Sequence, residues 1–283
     1  MKKQKIILDT VTYAILTIVA IITLIPLLYT VLASFKSNME IMTNPGTMFP
    51  QNPTFDNYIT AWNSDVLNIA RMTTNSLIYT LFCMFFNVFI STTAAYVFAR
   101  GDFRGKKAIF AVFSSLMFIQ LGSITVYPLF DILKIVNLNQ SLYGLMVIKC
   151  FAIPVVHIYL VRSYIKTINP EIDEAAIIDG CSFIGVFFRI VLPIIKPIVA
   201  TVALLSFQAS WNDYLMPSIF TMTKPGQQTL IVGIMALKNS DGAATNWNLM
   251  LAGSAIAIVP VLIAYVFANR YFIAGIAAGA VKG

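Results

Sequence analysis

The chain has 283 residues, of which 58% are hydrophobic and only 11% charged, with a formal net charge of +7. A soluble domain carries about a quarter charged residues, so a cytosolic enzyme, a disordered chain and a disulfide-built secreted module are excluded. What remains is an all-α, polytopic membrane protein. The apolar runs are continuous rather than alternating with period two, which excludes a β-barrel. Cys83, Cys150 and Cys181 stand far apart and the one histidine is His157, so neither a disulfide framework nor metal-ligand spacing is present.

Residues 1–9 form a basic start, with Lys2, Lys3 and Lys5, but the apolar run behind it is too long for a signal peptide and no small-residue cleavage site ends it cleanly. A helix needs about 20 apolar residues to cross a bilayer. Six stretches qualify in chain order: Thr10 to Phe35, Met72 to Ala99, Ala108 to Phe130, Leu142 to Val161, Pro197 to Met222 and Gly242 to Asn269. The third is uncharged; Lys149 interrupts the fourth and Asp213 the fifth. The expected organisation is an inner terminus 1–9, a first span 10–35, an outer loop 36–71 with short helices, a core domain 72–269 holding an inner loop 162–196, and an inner tail 270–283.

Orientation follows from lysine and arginine. With the N-terminus inside, the inner segments hold Lys2, Lys3, Lys5, Arg100, Arg104, Lys106, Lys107, Arg162, Lys166, Arg189, Lys196, Arg270 and Lys282. Lys36, Arg71, Lys134, Lys149, Lys224 and Lys238 are outer or embedded. The bias puts both termini inside and accounts for the net positive charge without nucleic acid.

The inner loop carries its own helix signals. In Asn169-Pro170-Glu171-Ile172-Asp173-Glu174-Ala175-Ala176-Ile177-Ile178-Asp179-Gly180, Asn169 suits the N-cap and Pro170 the first helical position. The acids of the first turns suit the helix dipole, and Gly180 suits the position just past the end. Ser182 can cap a second helix, expected to run to Leu192 and stop at Pro193. The short helix reads as a dock: Ala175 and Ala176 allow close approach, four acids suit a basic groove, and Ile172, Ile177 and Ile178 offer apolar area. An amphipathic helix lying on lipid would favour lysine and arginine instead, and a plain connector needs only a few residues.

The spacing Glu174-Ala175-Ala176, Gly180, Ile190, Leu192-Pro193 resembles the EAA signature of permease subunits of ABC importers. Asp179, Phe187, Pro197 and the stretch Trp211-Asn212-Asp213-Tyr214-Leu215-Met216-Pro217 look like the carbohydrate-importer subgroup, and Ala278 to Gly283 looks like the ending of the maltose-transporter-type second permease. The resemblance covers the chain nearly end to end. It implies a type I ABC importer permease fold of six transmembrane helices in a bacterial cell membrane. It also implies a second, homologous permease subunit, two cytoplasmic ATPase subunits and an extracytoplasmic sugar-binding protein delivering a di- or oligosaccharide. In that setting Glu174, Ala175, Ala176, Asp179, Gly180, Ile190, Leu192 and Pro193 are the ATPase-coupling residues, and ATP and Mg are bound by the partner ATPase. The stretch Gly101-Asp102-Phe103-Arg104-Gly105-Lys106-Lys107 lacks the spacing and the Ser/Thr of a P-loop, so no cofactor is expected on this chain and it is not expected to be an enzyme.

Intramembrane polar residues are functional candidates by default. Gln120, Ser123, Gln208 and Asn212 could line a sugar path or bond neighbouring helices. Lys149 snorkels to the outer headgroups or pairs with a partner subunit. Asp213 falls about 24 Å up the fifth span, near the outer surface, beside Trp211 and Tyr214. His157 reads as structural, and 224–247 as an outer loop that could meet a binding protein. An importer for a non-sugar solute, an ion-gradient-driven secondary transporter and a membrane-embedded enzyme are the competing functions. The secondary transporter lacks a deep acid, and the enzyme lacks a catalytic set.

Overall fold

The computed structural model describes residues 2–63, 68–119, 122–238 and 246–280, with the side chains of residues 2–7, 63, 123 and 270–280 excepted. The described residues are helical, with no strand among them. The helices are α1 (Lys2–Ala33), α2 (Asn38–Thr43), α3 (Asp56–Asn63), α4 (Ile69–Arg100), α5 (Lys106–Ser115), α6 (Val126–Ile135) and α7 (Leu142–Cys150). They continue as α8 (Val155–Ile165), α9 (Glu171–Ile178), α10 (Phe183–Ile194), α11 (Lys196–Trp211), α12 (Leu215–Phe220), α13 (Leu230–Ala236) and α14 (Trp247–Ala280).

Among the described residues four segments are long and apolar enough to cross a bilayer: Leu8–Ala33, Ile69–Arg100, Leu142–Ile165 and Trp247–Asn269. A fifth is obtained if α10 and α11, bent by 80° at Ile195, count as one. Two expected spans are therefore broken. Between Ala108 and Phe130 the chain forms α5, a short 3₁₀ turn at Leu116–Phe118, a second at Gly122–Thr125, and then α6. Gly122 has φ +52°, a left-handed conformation that no α-helix can propagate. Between Pro197 and Met222, α11 stops at Trp211 and α12 restarts at Leu215. Pro193 does not stop α10. Its neighbours Phe187–Val191 adopt the wider π register, which shifts the hydrogen bonds by one residue and accommodates a proline without an N–H. The break falls at Ile195, just ahead of Pro197.

The chain divides into two compact units, 1–72 with 230–259, and 73–229 with 260–283. In the first, α1 packs none of its central apolar surface against the chain, so that surface belongs to lipid or to another polypeptide. The turn after it is fixed by polar contacts. The fully buried Lys36 donates from Nζ to the Thr47 carbonyl and, at 2.8 Å, to Thr47 Oγ1. Asn57 donates to the carbonyls of Ser34 and Lys36 at 2.7 and 2.8 Å, and its own Oδ1 accepts from Asn248 at 2.7 Å. The stretch expected as loop from Thr223 contains α13, whose Leu230, Val232 and Ile234 are buried; the expected turn at Asp241-Gly242 lies outside the described residues.

The second unit has two apolar clusters strung along α4, about 24 Å apart from Tyr79 to Ala95 at 1.5 Å per residue. Near the first, Asp213 occupies the break between α11 and α12. Its Oδ2 accepts from the Tyr79 hydroxyl at 2.8 Å and lies 3.4 Å from Lys149 Nζ, while Oδ1 accepts from the Met216 N–H at 3.4 Å. The carboxylate thus caps α12 and ties three elements together. Pro217, third residue of α12, sits where no intrahelical N–H is needed. Lys149, expected to snorkel or to pair with a partner subunit, lies beside Asp213 of its own chain. His157 Nδ1 lies 2.6 Å from Asn87 Oδ1 on α4, a helix-to-helix bond.

This cluster generates a stability test. Asp213→Leu leaves a lysine and a tyrosine hydroxyl poorly paired and should cost about 2–4 kcal/mol, against about 1–2 for Tyr79→Phe. In thermal unfolding, the double variant Asp213→Leu/Lys149→Met should lose less than the sum of its singles. Strict additivity would contradict the pairing.

Candidate functional site

The loop 162–196 folds around α9, and each end of that helix is set by local chemistry. At its start Asn169 Oδ1 accepts from the Glu171 N–H at 3.2 Å, and Pro170 already has helical angles, φ −57° and ψ −27°. At its end Gly180, φ +85°, reverses the chain. The Gly180 N–H reaches the Ile177 carbonyl at 3.0 Å and the Cys181 N–H reaches that of Ala176 at 2.9 Å, the paired bonds of a Schellman end. Ser182 Oγ then accepts from the Gly185 N–H at 3.1 Å and starts α10 as expected.

The helix has two faces. Asp173 and Ala176, three residues apart, are buried. Asp173 is paired with Arg100, the last residue of α4, whose Nη2 also donates to the Ile168 carbonyl at 2.8 Å. Both side chains are nearly buried, at 12% and 11% exposure. A charge-assisted contact in such surroundings is strong, and it fastens α9 to the end of a membrane-length helix. Beneath it Tyr96 donates to the Phe183 carbonyl at 3.1 Å and packs its ring against Phe183 and Phe187.

The other face is free within this chain. Glu174, Ala175, Asp179 and Gly180 are exposed, and so are Ile172, Ile177 and Ile178, the last at 86%. The expected surface of two alanines and four acids is therefore smaller. Ala176 packs into the chain's own core and Asp173 belongs to the Arg100 pair, which leaves Ala175 with Glu171, Glu174 and Asp179. Ile190 and Leu192 are also packed against that core, and Pro193 is exposed beyond them. They support the loop and do not extend its free face.

Of the expected path residues, Gln208 and Asn212 are both exposed at the end of α11, and Asn212 Nδ2 donates to the Gln208 carbonyl at 3.0 Å. Gln120 lies outside the described residues, as does the side chain of Ser123. Arg100 was legible in the sequence only as an inner positive charge. Helical spacing, which puts Asp173 and Ala176 on one side, was the signal that one acid of the loop faces inward.

If the Arg100–Asp173 pair holds α9 in place, Arg100→Leu should speed backbone hydrogen exchange over residues 171–180 by about tenfold or more. Glu174→Lys, on the free face, should leave it unchanged. Equal protection in both variants, read by mass spectrometry of the purified chain, would remove the clamp.

Comparisons with known proteins agree on a family. Residues 2–277 match the family described as binding-protein-dependent transport system inner membrane component. The chain is 34% identical to the probable ABC transporter permease protein YurM of Bacillus subtilis (strain 168) over 91% of its own length and 83% of that protein's. It is 30% identical to the galactooligosaccharides transport system permease protein GanQ of the same organism, over 100% of this chain and 99% of that one. A solved bacterial ABC transporter involved in import of the acidic polysaccharide alginate shares the fold with a TM-score of 0.78, at 22% identity, over 94% of this chain and 96% of that one. With several apolar helices of membrane length and this match along almost its whole length, the chain belongs to the inner membrane components of binding-protein-dependent transport systems, the permeases of ABC importers.

Proposed function

We propose that the chain is one permease subunit of an ATP-driven importer for a di- or oligosaccharide, and that α9 is the element through which it is driven. The observation that carries the reading is the free face of α9. Three exposed isoleucines stand beside Glu174 and Asp179 on a helix pinned from behind by a nearly buried ion pair. Burying an isoleucine side chain is worth about 1.5–3 kcal/mol, so a second protein gains by covering this face. The acids favour a basic groove, and Ala175 admits its backbone.

The remaining assignments follow from that role. The partner is an ATPase that holds ATP and Mg; two copies serve a pair of homologous permeases, of which this chain is one. Both termini and the loop 162–196 face the cytoplasm, and the bundle crosses six times, with the two broken segments each completing a crossing. A binding protein brings the sugar to the opposite side. That substrate class is supported by relatives described as permeases for galactooligosaccharides and arabinooligosaccharides. When the ATPase pair closes on nucleotide, its groove moves α9, and the Arg100–Asp173 pair passes the displacement to α4. Gln208 and Asn212 stay as candidates for the sugar path, with Gln120 and Ser123.

Reversing the charge at the centre of the free face tests the coupling. Glu174→Lys should reduce sugar uptake and binding-protein-stimulated ATP hydrolysis at least about tenfold, by losing a favourable contact and adding a repulsive one. The chain should still insert, because the residue is exposed. Normal uptake by a fully assembled Glu174→Lys complex would count against the role.

A further inference from the structure

The end of α4 borders a second feature that the coupling role does not use. A cleft of about 820 Å³ opens between the start of α5 and the end of α8. Four cations line it: Lys106, Lys107, Arg162 and Lys166. Asp102 is the acid on its rim. Among the described residues none of these four cations is in an ion pair with a carboxylate. Two are held in place by the cleft itself. Arg162 lies 3.7 Å over the Phe110 ring and donates from Nε to the Phe98 carbonyl at 3.2 Å. Lys106 donates to the Gly101 carbonyl at 2.6 Å. The neighbouring Arg162 charge, then burial, then Lys106 press Lys166 below the usual lysine range. Four like charges are thus gathered at close quarters, with Asp102 the one acid among the residues that line the cleft.

The walls are of the opposite character. Phe98, Phe103, Phe110, Ala108 and Ala111 supply apolar surface, and the exposed Ile109 and Val112 of α5, with Leu116 in the turn after it, lie beyond them. A soluble anion would use the charges and leave this apolar flank bare. A phospholipid uses both, with its phosphate among the cations and its glycerol and upper chains against the phenylalanines.

We propose that this cleft binds the phosphodiester head group of an anionic phospholipid. The side of the membrane rests on the orientation given under the proposed function, which makes the lipid one of the cytoplasmic leaflet, where anionic head groups attract basic segments next to a span. Occupancy screens the repulsion between Arg162, Lys106 and Lys166. It also braces the junction of α4 and α5 next to Arg100, the residue that holds α9.

Lys107 and Lys166 are exposed, so replacing them spares the packed Arg162 and the fold. Native mass spectrometry of the purified, assembled complex, with dioleoyl phosphatidylglycerol or phosphatidylcholine added, counts retained lipid. The wild type should retain phosphatidylglycerol in preference. Lys107→Gln/Lys166→Gln should lower its apparent affinity about tenfold or more, at roughly a kilocalorie per mole for each cation removed, with phosphatidylcholine unchanged. Lys196→Gln, an exposed lysine outside the cleft, should match the wild type. Undiminished retention in the double variant, or an equal loss in Lys196→Gln, would overturn the site. Displacement of the lipid by inorganic phosphate would overturn the lipid assignment in favour of a soluble anion. Retention is independent of transport, so a failure of Glu174→Lys to affect uptake would sink the coupling role and leave this measurement standing.

Discussion

One ion pair decides how the loop around α9 is held. A helix of eight residues gains little from its own hydrogen bonds, and α9 would be a loose turn if it were attached only through its ends. The Arg100–Asp173 contact, with the bond from Arg100 to the Ile168 carbonyl, makes it part of α4 instead. Because both groups are nearly out of water, the pair gives direction more than net stability. It joins α9 directly to a helix of membrane length, the link on which the proposed coupling relies.

The other end of the unit repeats the device with different chemistry. Asp213 closes the gap between α11 and α12 and holds Tyr79 of α4 and Lys149 of α7. The same helix therefore holds two carboxylates, Asp173 at its last residue, Arg100, and Asp213 at Tyr79, about a third of the way along it. Between them lie apolar contacts rich in aromatic rings, with Tyr96 packed against Phe183 and Phe187 and Phe98 against Phe110 and Phe113, and the polar contact of His157 with Asn87.

Local rules made much of this legible in the residues themselves. Asn169, Pro170, Gly180 and Ser182 act on their own neighbourhood, and each does in the structure what its chemistry dictates. The long uncharged runs behind α1, α4 and α14 are equally local. What the sequence hid is pairing at a distance. Lys149 and Asp213 each look like an isolated charge in an apolar run, and only packing brings them together. Arg100 looks like one more inner cation until α9 folds back on it. The same holds for α13, whose apolar run is too short to span and lies among turn signals, so that its burial depends on partners far along the chain. The breaks at Gly122 and after Trp211 show the limit of counting apolar residues, since hydropathy does not register a left-handed glycine or a carboxylate that starts a new helix.

The account stands or falls on what covers Ile178. A photo-crosslinking amino acid placed there, in the intact complex in membranes, reports its neighbour directly. The account predicts a single dominant product with the ATPase subunit, whose yield changes when nucleotide is added. A product with lipid, or none at all from a complex that still transports, would contradict it.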